Sequence, residues 1–547
     1  MPKAELLSKT KSLLIHPPIT AFGATFILFL AGACFWTPFF QTNDDVVMSW
    51  ITRGIGLVDR PSEFLILVNV IVGIVLKNLY TLFPHVPWYA LGLYGVFFLS
   101  VWGILTAFLS EPRTLGAILI LAAVGVPVFF HCFAWPQYTV YCFLAAQAGL
   151  FLLAHPLRPR WFSLSLSGLL MFLAALIRLK AALFSVALGF FYLWTVQRGE
   201  KDPGAKKSRW ATLALTALLI LSAAGFDRIY CHLHPGWPEA RRYYQKRFSI
   251  TEIKWSGYQE QLQAFQSVGW SENDYHMFQE GFYYDGPFAF ENLEKLDNLL
   301  SIDYGVKFIL FKELLKNELV QFLFLGLLVC LAGAVGSGSK VLMQTGWILF
   351  LVALLFSINK IVARVLWPQL FFACLVLVFL LPTKPSTQKP KRWVGFPGVF
   401  LAVILGLTGW RSLHDDYLDN RVGPQVHQLI GQTFKSLAPR KDQLFVIWGS
   451  SFPFVGFPAF ETEDTLKDFR FIWMWWLEKT PYTQARLDQF RIHDFIADMV
   501  DNPKVFWLIN DPSPCYENYL REHEGKTMHR KLVFHGYFDV YRLVSGP

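Results

Sequence analysis

Two adjacent carboxylates, Asp44 and Asp45, follow a long apolar and aromatic run in the stretch FFQTNDDVVMSW, residues 39–50. A carboxylate can take a proton from an attacking hydroxyl group, or it can hold a metal ion. An acid pair just outside a membrane span can equally be two ordinary solvated loop residues without a catalytic role. The groups that lie beside the pair decide between these interpretations, and they depend on how the chain crosses the membrane.

The composition is that of a protein with many membrane spans. Of its 547 residues, 54% are hydrophobic and only 16% are charged, and the mean hydropathy is +0.37. A soluble protein would carry about 25% charged residues. Several apolar stretches reach the roughly 20 residues that a helix needs to cross the hydrocarbon. The net charge of +9 comes from short basic loops between these stretches, so it indicates membrane orientation and not nucleic-acid binding.

Basic residues assign a side of the membrane to each loop, because cytoplasmic loops carry an excess of lysine and arginine. The lysines before residue 12 place the N-terminus in the cytoplasm, ahead of a retained first span over residues 17–38. Two outward hairpins then follow, with tips at AWPQYT (134–139) and IRLK (177–180). Further cytoplasmic loops are predicted at 155–161, 197–210 and 383–393. The total is about 11 to 12 spans.

The segment 64–84 does not fit this scheme, because the charge rule puts both of its ends outside. It also contains Asn69, Lys77 and Asn78, which are costly in lipid. We interpret it as a re-entrant or interfacial helix. The alternative is that one of the predicted hairpins is wrong.

Four regions are predicted along the chain. Residues 1–226 form a transmembrane core with a first outer loop at 39–63, and an extracytoplasmic loop region at 227–316 follows. After further spans over 317–410, residues 411–547 are predicted to form an extracytoplasmic α/β domain, because QLFVIWGSS, KVFWLIND and KLVFHGYFDVYRLV are short β-rich runs. Asp415 and Asp416 are interpreted as a linker. Cys231 and Cys515 could pair if both polar regions lie outside.

Polar and cationic residues accumulate at the same outer face as the acid pair. The candidates for binding a substrate are Arg53, Gln137, Arg178, Lys180 and Arg364. Cations beside a membrane suit an amphiphile with an anionic head group such as a phosphate. Arg178 and Lys180 could instead be snorkelling anchors at a hairpin tip, and Arg364 could simply pair with an acid.

Aromatic residues are dense in the loop region 227–316, in stretches such as ARRYYQKRFSITEI and GWSENDYHMFQEGFYYD. Flat aromatic faces combined with polar groups are typical of sugar-binding surfaces. A packed extracellular loop with ordinary amphipathic helices would have a similar composition.

The order of these motifs resembles the GT-C superfamily of membrane glycosyltransferases, which includes protein O-mannosyltransferases and the lipid A aminoarabinose transferase. The resemblance is carried by the acid pair after the first span, in NDDVVMSWITRGIG, then by NVIVG and LYTLFPHVPWY. It continues with YYQKRFSI, ENDYHMF, YYDGPF and ARVLWPQ. The resemblance covers most of the chain. The chain is similar in particular to a group of bacterial GT-C-like membrane proteins.

This resemblance implies a polytopic α-helical membrane protein with a GT-C-like core, located in the bacterial cytoplasmic (inner) membrane. Such enzymes move a sugar from a polyprenyl-phosphate-type carrier to a lipid, polysaccharide or protein acceptor on the outer face, usually with inversion. Asp44 or Asp45 would be the catalytic base, and Arg178, Lys180 and Arg364 would bind the donor phosphate. Many relatives carry an acid where this chain has Gln137. We therefore expect metal-independent catalysis and no cofactor, although the acid pair could still hold a divalent ion.

Two other functions compete with a transferase. A transporter or flippase of a lipid-linked or anionic substrate would often show inverted repeats and broken helices near the midplane. The sequence shows no such symmetry, and its charged groups lie near one face. A membrane-anchored assembly or binding protein would work through its outer domain alone, so Asp44 would be dispensable.

Overall fold

The computed structural model describes most of the chain, namely residues 16–157, 159–254, 257–284, 286–302, 304–334, 346–347, 362–381, 395–461, 466–475, 477–510 and 514–546. The amino-terminal lysines, most of the predicted span 340–358 and the basic loop 383–393 lie outside the described residues. Predictions made for those segments therefore stay predictions.

Eight helices follow one another in the described residues up to 232. They are α1 (Pro17–Phe35), α2 (Asn43–Arg53), α3 (Val70–Leu82), α4 (Trp88–Leu109), α5 (Leu115–Ala134), α6 (Tyr138–Ala154), α7 (Arg160–Gly199) and α8 (Pro203–His232). Apolar side chains on α1 and α8 face outward, such as Ile27 with 65% and Leu221 with 70% of their surface exposed. Such outward apolar faces are those of helices surrounded by lipid.

The second half of the described chain begins with short helices and returns to long ones. They are α9 (Trp237–Phe248), α10 (Leu262–Ser267), α11 (Glu272–Gln279), α12 (Phe290–Leu299), α13 (Tyr304–Leu314), α14 (Glu318–Ala334), α15 (Ala363–Leu380) and α16 (Gly395–Leu437). Six helices of the described residues are long and apolar enough to cross a membrane, or seven if the pair Phe308–Leu314 and Glu318–Leu331, bent by 84°, is one span. The protein is thus a multi-pass helical membrane protein, and the total of 11 to 12 spans stays a prediction.

The predicted hairpin with its tip at residues 177–180 is confirmed. Helix α7 is interrupted at Arg178, whose backbone angles of φ −157° and ψ 92° are not helical. Ser167 and Gly189 would lie about 33 Å apart on a straight helix. Yet the Ser167 hydroxyl donates to the Gly149 carbonyl at 2.7 Å, and Gly189 packs against the neighbouring Leu150. The two arms of α7 therefore fold back on each other along α6.

Helix α3, inside the segment 64–84, is too short to cross a bilayer alone. Its 13 residues span about 20 Å, against a hydrocarbon thickness of about 30 Å. Its polar groups are paired within the protein. The Asn69 side chain caps the helix at Ile71 N and donates to the Ala223 carbonyl of α8, and Lys77 forms an ion pair with Glu63 at 2.9 Å. These features fit the predicted re-entrant or interfacial helix.

The predicted linker at Asp415 and Asp416 is wrong. Helix α16 runs without interruption over 43 residues, from the predicted last span to the edge of the C-terminal domain. Asp416 projects from it to His131 on α5, with a distance of 2.9 Å between its Oδ2 and the ring Nδ1. The acid is therefore paired inside the protein, because the helix continues past the predicted end of the span.

The C-terminal region forms the predicted α/β fold. Five strands, β1 (Leu444–Trp448), β2 (Arg470–Met474), β3 (Val505–Leu508), β4 (Met528–Phe534) and β5 (Val540–Ser545), form one sheet with the order β2-β1-β3-β5-β4. The strands β2, β1 and β3 are parallel, and β5 and β4 add an antiparallel hairpin. Helices α17 (Pro481–Gln489) and α18 (Cys515–Glu524) complete the domain.

The loop region 227–316 and the α/β domain share one hydrophobic core. Phe282 of the loop region packs against Trp448 of β1 and against Tyr519 of α18, with ring centroids 6.4 and 5.1 Å apart. Cys231 and Cys515 are both buried free thiols, so the disulfide considered from the sequence is not formed. The two polar regions are thus held together by packing.

Candidate active site

The two carboxylates of the acid pair have different surroundings. They lie in the first turn of α2, where the helix dipole favours negative charge. Asp45 is fully buried, whereas Asp44 is partly exposed. Successive helical residues point about 100° apart, so one of the pair faces the core and the other faces outward.

Buried Asp45 joins three parts of the chain. Its carboxylate accepts hydrogen bonds from the Thr42 hydroxyl at 2.7 Å, from the Tyr89 hydroxyl at 2.9 Å and from the Tyr138 backbone NH at 3.2 Å. Burial raises the pKa of Asp45 to about 7, although these three hydrogen bonds oppose the effect. Asp45 therefore fixes the start of α6 and the beginning of α4 against α2.

The start of α6 in turn holds Arg178. The Arg178 guanidinium donates to the hydroxyl of Tyr138 through a short hydrogen bond, and to the Thr139 hydroxyl at 2.9 Å. It also lies 5.2 Å from the centre of the Tyr138 ring. The interruption of α7 at Arg178 turns this cation back over α6 and beside the acid pair. The sequence-predicted hairpin tip therefore reaches the sequence-predicted carboxylates.

Asp44 faces a group of cations and phenols. It lies within electrostatic reach of Arg178, Tyr138 and Tyr244. Arg364, in the first turn of α15, also lies within electrostatic reach of Tyr138. The Asp44 carboxylate makes no hydrogen bond to a residue that the structure describes, which leaves its oxygens available to a substrate.

Three other predicted site residues, Gln137, Arg53 and Lys180, have surroundings that differ from those of Arg178. Gln137 is buried and caps α6, where its Oε1 accepts from Val140 N at 2.8 Å. Arg53 is at the opposite end of α2, about 14 Å from Asp44 along the helix axis, and lies near Tyr80. Lys180 is exposed, two residues beyond the interruption of α7. The structure thus brings Asp44, Asp45 and Arg178 together around Tyr138, Arg364 lies within electrostatic reach of Tyr138, and Gln137 caps the helix that begins at Tyr138.

A cavity lies beside this group, between the loop region, the α/β domain and Ile66, which lies just before α3. The space between its walls, counted together with the open solvent at its mouth, is about 340 Å³. Its wall is rich in aromatic and charged side chains, including Trp237, Tyr244, Arg247, Tyr283, Trp475 and Glu478. Tyr244 belongs both to this wall and to the surroundings of Asp44.

Three of these cavity residues were not singled out from the sequence. Tyr244 and Arg247 lie in a stretch whose aromatic density was noticed, YYQKRFSI, but composition does not reveal which side chains face a site. Glu478 lies in LEKTPYTQ, which reads as an ordinary polar turn. Tyr244 and Arg247, more than 200 residues away in sequence, line the same cavity, so long-range folding and not the local sequence brings Glu478 to its wall.

One group in the described residues has donors close enough to hold a metal ion, and it lies away from the acid pair. It consists of Asp274, Glu522 and His523, between α11 and α18. The Asp274 carboxylate is already bound to His523 at 2.8 Å and to Ser271 N at 2.8 Å. These bonds make the group a structural contact between the loop region and the α/β domain.

Comparisons with known proteins find a likeness at the level of the whole chain. No protein-family model matches, and no curated protein matches. Among solved structures, two of ArnT from Cupriavidus metallidurans match, one in the apo state and one bound to undecaprenyl phosphate. Each has 12% sequence identity, covers 96% of this chain and 97% of its own, and has a TM-score of 0.40.

This TM-score carries no argument about individual residues. The roles of the site residues follow from the contacts described above.

Proposed function

We propose that the protein is a glycosyltransferase that moves a sugar from a polyprenyl-phosphate-type carrier to an acceptor on the extracytoplasmic face of the membrane. The observation that carries this proposal is the position of a partly exposed carboxylate, Asp44, within electrostatic reach of Arg178, with Arg364 within reach of the Tyr138 that holds Arg178. A base for a hydroxyl group and cations for a phosphate are the groups that this transfer requires.

In the proposed reaction, an acceptor hydroxyl attacks the anomeric carbon of the donor sugar, and its proton passes to the Asp44 carboxylate. A new carbon–oxygen bond forms while the bond between the anomeric carbon and the phosphate oxygen breaks. The electron pair leaves with the carrier phosphate, whose growing charge the guanidinium groups stabilise. Attack from the face opposite the phosphate inverts the anomeric configuration.

The two acids take separate roles in this proposal. Asp44 makes no hydrogen bond within the described part of the chain and lies within electrostatic reach of Arg178, which suits a base. Asp45 has its oxygens occupied by Thr42, Tyr89 and the Tyr138 backbone, which suits a positioning residue. Arg178 binds the donor phosphate while Tyr138 and Thr139 hold its guanidinium in place. Lys180 and Arg53 have no assigned contact with the reacting groups, and the proposal involves neither a metal nor a cofactor.

A transfer assay in membranes tests the proposal. Labelled polyprenyl-phosphate sugars, together with membranes as the source of acceptor, are incubated with the wild type, Asp44→Asn and Asp45→Asn at equal membrane levels. Undecaprenyl phosphate, the lipid in one of the ArnT structures, is the first carrier to use. We expect Asp44→Asn to abolish transfer and Asp45→Asn to retain a measurable part of it.

Unimpaired transfer by Asp44→Asn would remove the base from the proposal. Transfer abolished by Asp45→Asn, in a variant that folds, and unaffected by Asp44→Asn would exchange the two roles. The same assay with Arg178→Gln tests the cation that binds the donor phosphate in this proposal. Lys180→Gln is its matched control, because it removes a nearby cation that is exposed.

A further inference from the structure

The cavity wall contains a carboxylate that the proposed transfer step does not use. The Glu478 side chain has 3% of its surface exposed, and neither of its carboxylate oxygens has a hydrogen-bond partner among the described residues. Arg247 and Lys479 lie within electrostatic reach, and the Tyr283 backbone NH lies near the carboxyl group but outside hydrogen-bonding geometry. A buried carboxyl group without partners costs free energy, so its retention at a cavity wall points to a ligand.

Arg247 is a second buried polar side chain on the same wall with unused hydrogen-bonding capacity. It is 4% exposed, and its Nε has no partner among the described residues. Its Nη1 donates to the Tyr283 hydroxyl at 3.2 Å, and the guanidinium lies 5.1 Å from the centre of the Tyr244 ring. Its position is thus fixed by two tyrosines, while one donor remains available.

The chemistry of the wall identifies the ligand class. Aromatic side chains from both polar regions, Trp237 and Tyr244 from one and Trp475 from the other, face the cavity together with Glu478 and Arg247. A sugar ring has C–H faces that pack on aromatic rings and hydroxyl groups that both donate and accept hydrogen bonds. A simple lipid tail would leave the buried carboxyl group unpaired, and a simple anion would meet its oxygens.

Backbone strain marks the same wall. Ile66 lines the cavity and has a φ of 61°, a conformation that a β-branched residue rarely adopts. The turn is closed by a hydrogen bond from Leu67 N to the Leu65 carbonyl at 2.6 Å. Strained backbone of this kind concentrates at ligand sites.

We propose that this cavity binds a sugar ring of the transfer reaction, with Glu478 and Arg247 hydrogen-bonding to its hydroxyl groups and aromatic side chains packing on its faces. This inference rests on the proposed function and deepens it by assigning the sugar subsite. Tyr244, shared with the surroundings of Asp44, connects the subsite to the acid and cations. The sugar can be that of the donor or that of the acceptor, since both must approach Asp44.

Saturation-transfer difference NMR on the full chain in nanodiscs tests the site without requiring turnover. The probes are a panel of methyl glycosides, each at up to about 100 mM because isolated monosaccharide contacts are weak. We expect at least one glycoside to show saturation of its ring protons. Glu478→Leu should weaken its binding about tenfold, the effect of losing hydrogen bonds to a buried polar group. Glu478→Gln, which keeps the shape and hydrogen-bonding capacity, should stay close to the wild type.

Glu291→Gln is the control, because Glu291 is an exposed acid of the same loop region on α12. It should bind the glycosides like the wild type. No signal from any glycoside, or equal binding by the wild type and a folded Glu478→Leu, overturns the proposal. Binding that is intact in Asp44→Asn separates this result from the transfer assay, because the sugar site can hold even if the assigned base is wrong.

Two further titrations identify the source of the sugar. If Glu478→Leu weakens binding of a polyprenyl-phosphate sugar but not of undecaprenyl phosphate, the cavity holds the donor sugar. If it weakens methyl glycoside binding in the presence of the bound lipid-linked sugar, the cavity holds the acceptor sugar. If it changes neither, the cavity is not a sugar subsite.

Discussion

Asp45→Asn should stabilise the protein by an amount that grows with pH. Burial raises the pKa of Asp45 from 3.8, its usual value, to about 7. The unfolded chain therefore ionises this group near pH 4, whereas the folded protein keeps the proton until about pH 7. Because the pKa is higher in the folded protein, folding stability falls as the pH rises through this interval. The full stability is present only below the pKa of the unfolded chain.

The size of the effect follows from the shift. Three pKa units correspond to about 4 kcal/mol, reached once the pH exceeds about 7. Part of this cost is already present at pH 5, so the loss between pH 5 and pH 9 is about 3 kcal/mol. Asparagine does not titrate, and it can still accept from Tyr89 and from the Tyr138 backbone NH.

The assay is thermal unfolding of the full chain in nanodiscs at several pH values from 5 to 9. The melting temperature of Asp45→Asn should exceed that of the wild type by a margin that widens with pH and levels off above pH 7. A margin that stays constant over this range would refute the reasoning, because it would mean that Asp45 does not titrate there.

Asp498→Asn provides the control of the same chemical type. Its carboxylate accepts from His493 N and Asp494 N at 2.8 and 3.0 Å, and these bonds lower its pKa. Asp498 is thus ionised in both the folded and the unfolded chain above pH 5. Its substitution should change the melting temperature by the same amount across the whole range.

Three further predictions concern the elements around the site. Gly73→Ala should destabilise the protein by about 2 kcal/mol or more, since a methyl group there would lie 1.9 Å from the Glu63 carbonyl oxygen; melting temperatures of this variant and of Gly92→Ala, which meets open space, check it. Glu63→Gln should reduce the free energy of unfolding by about 1 kcal/mol at pH 7. Burial alone would raise the pKa of Glu63, but hydrogen bonds from Lys77 and Tyr230 outweigh it and lower the pKa. The cost should therefore shrink when unfolding is measured at pH values below about 4. Arg178→Gln should weaken binding of radiolabelled undecaprenyl phosphate about tenfold or more, the effect of losing a charged hydrogen-bond donor, whereas Lys180→Gln should bind it like the wild type.

The positive-inside rule predicts which elements carry the acids and Arg178. It places the tips of both hairpins and the first outer loop on one face. The structure connects Asp45, Tyr138 and Arg178 by hydrogen bonds. Hydropathy and charge suffice here because each hairpin tip can be located by counting residues between basic loops.

The sequence could not show which of Asp44 and Asp45 is buried and which is exposed to a substrate. Neighbouring positions on a helix differ by about 100° in direction, so which acid is buried depends on the rotation of α2 about its axis. That rotation is set by long-range contacts, above all with Tyr89 and Tyr138. The strand β2 was missed for a related reason: FRFIWM is a short apolar run whose parallel partner β1 lies elsewhere in the chain, and such runs resemble buried helix segments.

The connections between the α/β domain and the membrane core argue against a domain that works alone. Arg486 of α17 donates to the Gly56 carbonyl and to Asp59, both at 3.0 Å, and the Tyr482 hydroxyl donates to Ser62 at 2.7 Å. These bonds attach the domain to the outer loop that follows α2. The cavity wall likewise combines the loop region, the α/β domain and Ile66, which lies between that outer loop and α3. An isolated domain would lack two of these three walls, so we expect the proposed sugar binding in the cavity to depend on the complete chain.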